Sequence, residues 1–138
     1  MRKTLNCSMG TNLKMSDDVY ALRREVMGYI YDAKNLLRNN GIQLPRVTVR
    51  ITDNDGDSSR ALGMARLNDN IIWISKNALT KYKANLREIV YHEIVHAVTG
   101  FAHDDNCKLM SPCCNIKPLS REVADNLFLK YFNKLIKL

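Results

Sequence analysis

The stretch His92-Glu93-Ile94-Val95-His96-Ala97-Val98-Thr99-Gly100-Phe101-Ala102-His103 holds all three histidines of this 138-residue chain. Residues four apart on a helix lie one turn apart on the same face, so His92 and His96 can reach a single metal ion. Glu93 follows the first histidine and projects beside that face, placed to hold a water rather than to ligate. A catalytic zinc takes three protein ligands and a water. The remaining histidine, His103, stands seven residues beyond His96. Gly100 lies between them, where a left-handed residue can end the helix and turn the chain back. Asp104 and Asp105 are the alternative third ligands.

Outward from this stretch the pattern is that of a mixed domain. Asn85 to Thr99 reads as the last part of a long helical stretch that carries the motif and ends at Gly100, with Asn85 and Glu88 spaced as a capping-box start or the helix beginning earlier. Ahead of it, Ala61–Leu67 and Ile71–Ser75 flank Asn68-Asp69-Asn70 and read as a β-hairpin. The second arm is apolar and should be the more buried. The first, with Gly63 and Ala65, suits an edge strand with room for another backbone beside it. Pro45 to Thr52 alternates β-branched and polar residues, the mark of a strand with one buried face. The turn after it, Asp53 to Ser59, holds three carboxylates but lacks the glycine and glutamate of an EF-hand loop. Earlier still, a 3.6-residue stripe (Val19, Leu22, Val26, Tyr29/Ile30, Ala33, Leu36/Leu37) predicts a helix capped by Ser16, with Asp17 and Asp18 in its first turn and Gly41 as its stop. Beyond the histidines, Ser120 should cap a last helix that buries Val123/Ala124, Leu127/Phe128, Tyr131/Phe132 and Leu135/Ile136.

Composition bounds the function. With 46% hydrophobic and 25% charged residues the chain suits one globular domain. We expect an N-terminal arm over residues 1–15 and a single domain over 16–138. No apolar run reaches membrane-spanning length and no signal peptide is visible, so a cytoplasmic protein without a membrane partner is expected. The formal charge of +7 permits a nucleic-acid partner but no nucleic-acid motif accompanies it. Cys7, Cys107, Cys113 and Cys114 are expected as free thiols, with a second, structural zinc on Cys107, Cys113 and Cys114 as the alternative. Oligomeric state leaves no mark in the sequence.

His92 to His103 resembles the metzincin zinc-protease motif HExxHxxGxxH. It departs in one respect, with three residues rather than two between the second histidine and the glycine. Lys108-Leu109-Met110-Ser111-Pro112 resembles the family's Met-turn, and Leu119 to Asp125 followed by Tyr131 its C-terminal helix. The resemblance implies an α+β fold in which a small mixed sheet packs on an N-terminal helix and the motif helix. It implies one catalytic zinc on His92, His96 and His103, Glu93 as general base, and Met110 as an apolar floor beneath the metal. A polypeptide substrate would lie along the edge strand at Gly63, Met64 and Ala65, with specificity set by Ser111 to Ile116. The expected activity is that of a zinc endopeptidase. The alternatives are a zinc-stabilised peptide-binding module without turnover, and a nucleic-acid-targeted protease similar to the Spartan kind.

Overall fold

The computed structural model describes residues 13–52, 63–66, 68–76, 78, 82–111 and 117–137. It is an α+β fold of three helices and a small mixed three-stranded sheet. Helix α1 (Leu13–Arg38) comes first, followed by β1 (Thr48–Thr52), β2 (Gly63–Ala65) and β3 (Ile71–Ser75). A short 3-10 turn, Lys83–Asn85, then leads into α2 (Leu86–Ile94) and its widened continuation Val95–Thr99; α3 (Arg121–Lys137) closes the chain. No helix among the described residues is long and apolar enough to cross a membrane.

The hydrophobic stripe of α1 does what its spacing demands. Val26, Ile30, Ala33 and Leu37 are buried, with Tyr29 and Leu36 packed partly against them. The helix begins before Ser16, so neither the Ser16 cap nor the first-turn placement of Asp17 and Asp18 is realised. Gly41 adopts φ +77°, and amide bonds from Gly41 to Arg38 and from Ile42 to Leu37 close the end as a left-handed glycine permits.

The strand order is β1-β3-β2, with β1 parallel and β2 antiparallel to β3. The apolar strand β3 therefore sits in the centre, and Ile72 and Ile74 on its inner face are fully buried beside Val49 of β1. β2 is the short edge strand at one side, pairing Gly63 with Ile74 and Ala65 with Ile72. The other edge, β1, is covered at one point: Arg23 of α1 donates to the Val49 carbonyl at 3.0 Å.

α3 starts on the cap its sequence predicts. Ser120 accepts the Val123 amide through its side chain and the Ala124 amide through its carbonyl. Ala124, Phe128, Tyr131 and Phe132 are buried, but Val123 faces solvent, because the stripe is one residue narrower there than its apolar spelling suggests. Leu135 and Ile136 lie outside the described side chains, as Val19 and Leu22 do.

Candidate metal centre

Helix α2 is held rigidly before its histidines are reached. Tyr91, fully buried and stacked 4.5 Å from Phe128, donates its hydroxyl to Asp125 of α3 at 2.7 Å and accepts from Arg87 at 3.0 Å. Arg87 pairs with Asp32 of α1 at 2.9 Å. One residue before His92, three helices are thus tied by a partly buried, charge-assisted network. At the other end of α2, buried Glu88 accepts from the Leu119 amide and from Asn85 Nδ2, drawing the start of α3 onto the helix. The capping box expected of Asn85 and Glu88 does not form. The 3-10 turn before α2 leaves Asn85 without a side-chain cap bond, and the two side chains bond each other instead.

The extra residue between His96 and Gly100 is absorbed by the helix itself. Over Val95–Thr99 the turn widens to π-helical spacing, the form that lets a helix take in one residue without losing its direction. Side chains and a neighbouring turn take up the groups this loosens. Thr99 Oγ1 donates to the Val95 carbonyl at 2.5 Å and accepts the Phe101 amide at 3.2 Å. The Asn70 amide reaches the Ala97 carbonyl at 3.4 Å. Gly100 then takes φ +79° and its amide returns to the His96 carbonyl, which reverses the chain and carries His103 back.

The result gathers one ligand atom from each of His92, His96 and His103, all within 4.8 Å of one another, so the three can hold one metal ion. The rings stand 4.6, 4.7 and 5.1 Å apart. His92 is partly buried, His96 only 8% exposed, and His103 exposed, so the centre opens on the His103 side.

Chemistry fixes the tautomers. The Nδ1 of His92 lies 2.7 Å from the Leu109 carbonyl and that of His96 lies 2.7 Å from the Phe101 carbonyl. A carbonyl only accepts, so each Nδ1 carries the proton and each Nε2 presents a lone pair. Burial pushes the His92 pKa down to about 4 and lowers that of His96, which keeps both rings neutral at pH 7. Two lone pairs then face each other at 3.0 Å. That contact is repulsive unless a cation lies between them, which is the condition a metal ion satisfies. The carbonyl partners supply the outer orientation that metal-bound histidines require.

Glu93 is 6% exposed and packs beneath β2. Burial alone pushes its pKa up to about 8, and it forms no hydrogen bond among the described residues. A cation on the histidines would pull that value down again by opposite charge.

The flanking candidates fall into place unevenly. Met110 is fully buried and its carbonyl accepts the Asp104 amide at 2.9 Å, so the Lys108–Ser111 turn is pinned to the residue after His103. Asp104 does not join the histidine group. Its two oxygens are taken by the Tyr131 hydroxyl at 2.9 Å and the Asn106 amide at 3.0 Å, bonds that also hold its pKa down. Asp105 is exposed and outside the histidine group. Gly63 and Ala65 face inward on β2, and Met64 faces out at 44% exposure. Cys107 is a free thiol beside the Tyr131 hydroxyl. Cys7, Cys113, Cys114, the Asp53–Ser59 turn and residues 112–116 lie outside the described residues.

Four supporting groups escaped the sequence. The Leu109 and Phe101 carbonyls carry no residue-type signal at all. Thr99 and the Tyr131–Asp104 bond were open to view only as polar residues at a helix end and on a mostly apolar stripe. No protein-family model and no curated protein compared with the chain matches it.

Proposed function

We propose that the chain is a zinc-dependent endopeptidase. The observation that carries this reading is the juxtaposition of three converging imidazoles with a buried carboxylate, next in sequence to the first of them, that has no hydrogen-bond partner among the described residues. A purely structural metal site has no use for that carboxylate, whose burial costs stability. Zinc suits an all-nitrogen set of three ligands with one position left open. When bound it would supply Lewis acidity toward a carbonyl and toward a water.

The remaining work falls to the protein's own groups. Glu93, held in a dry setting, accepts the proton of the attacking water and later returns it to the departing amine. His92 and His96, braced by carbonyls and by the three-helix network, keep their Nε2 atoms aimed at one point. The edge strand β2 offers main-chain groups to an extended peptide, which would add to the sheet as a further strand. Met110, buried on the turn pinned to the residue after His103, would close the apolar side of the centre.

Metal analysis of the purified protein, with a peptide-library cleavage assay, tests this reading. Zinc should bind in a one-to-one ratio, and Glu93→Gln should cut turnover by about 10²–10⁴-fold while leaving zinc content unchanged. Full zinc occupancy without cleavage of any peptide would favour a peptide-binding module instead.

A further inference from the structure

Gly63 opens the edge strand β2, yet a glycine weakens a strand and gives an edge nothing to pack. Its neighbour across the sheet boundary supplies the reason. A Cβ built at Gly63 would lie 2.8 Å from Glu93 Oε2, 2.9 Å from its Cγ and 3.1 Å from its Cδ. Contacts that short with the middle of the side chain, and not merely its tip, cannot be relieved by turning the carboxylate. The whole Glu93 side chain would have to move, and at 6% exposure it has little free space to move into.

No hydrogen bond among the described residues fixes the Glu93 carboxylate. Its position is therefore set by packing, and the wall on its open side is the backbone of β2 at Gly63. We propose that Gly63 is a positioning residue: the missing side chain is the seat of the Glu93 carboxylate, and the strand that receives substrate also places the general base. This rests on the endopeptidase reading for its catalytic consequence, but not for its steric one. It carries a corollary for substrates. A peptide that pairs with β2 steadies that strand over Glu93, so chain length should raise kcat as well as lower KM.

The test is a double-mutant cycle between Gly63→Ala and Glu93→Ala in the zinc-loaded full chain, read by kinetics and by thermal unfolding. In the wild-type background Gly63→Ala should lower kcat at least about tenfold with little change in KM or zinc affinity, and should lower the melting temperature. In the Glu93→Ala background the space is free, so the same substitution should no longer lower the melting temperature and should raise it slightly, as alanine in place of glycine does in a strand without a clash. Glu93→Gln fills the same volume as glutamate and should preserve the thermal penalty. Equal melting losses in the wild-type and Glu93→Ala backgrounds, or a wild-type kcat for Gly63→Ala, would overturn the proposal. If zinc-loaded wild type turns over nothing, the endopeptidase reading falls, and the melting-temperature cycle alone still decides whether Gly63 seats Glu93.

Discussion

Replacing Gly100 with alanine probes the turn that brings the third histidine home. Gly100 sits at φ +79°, a left-handed conformation that costs a residue with a Cβ roughly 1–2 kcal/mol. The new Cβ would also lie 2.7 Å from both terminal atoms of the Asn68 side chain and 3.0 Å from its Cγ. Asn68 is exposed and can swing aside, which adds on the order of 1 kcal/mol. The expected loss is about 2–3 kcal/mol, measured by urea denaturation of the chelator-treated protein. The site should suffer separately, because the Phe101 carbonyl that orients His96 is the next residue along. Losing such an outer partner typically lowers metal affinity about 10–100-fold, measurable by competition with a chromophoric chelator. Asn68→Gly in the same chain should return the steric share and leave the backbone share. Wild-type stability and zinc affinity in Gly100→Ala would refute the account of the turn.

Other consequences can be checked directly. Burial first, and then the charges of His96 and His103, hold the His92 pKa at about 4 against an ordinary 6.5 in the metal-free protein. Between those values the unfolded chain binds a proton that the folded chain does not. The His92 contribution is thus whole above pH 6.5 and falls by about 3 kcal/mol as pH drops through 4. Glu93, raised to about 8, slopes the other way above pH 4.5, so the effect is read as the difference between wild type and His92→Gln in urea at each pH. A difference that does not change with pH would contradict it. Tyr131→Phe removes the bond to Asp104, the residue after His103. It should cost about 1 kcal/mol of stability and about tenfold in zinc affinity, and an unchanged affinity would show that His103 needs no such anchor.

What was legible in the sequence follows the range of the interaction. The α1 stripe, the β1 alternation, the Ser120 cap and the His92/His96 pair all depend on neighbours within one turn or two residues, and each took its place. The hairpin order also made β3 the central strand and β2 the edge. The helix start was misjudged at Ser16, because a capping residue only marks an end when the chain before it turns away; at Asn85 the position was right and only the capping bond is missing. The extra residue after His96 could be counted in the sequence, but its absorption as a widened turn depends on Asn70 and Thr99 supplying bonds. The carbonyls of Leu109 and Phe101 and the approach of Gly63 to Glu93 belong to backbone meetings between distant segments. No residue type announces those.

The bond from Arg23 to the Val49 carbonyl has a consequence for assembly. A sheet with two bare margins can recruit copy after copy and grow into a fibre. Here one margin carries an arginine that an incoming strand would first have to displace, and the other is three residues long. Strand addition is thereby directed to a single side.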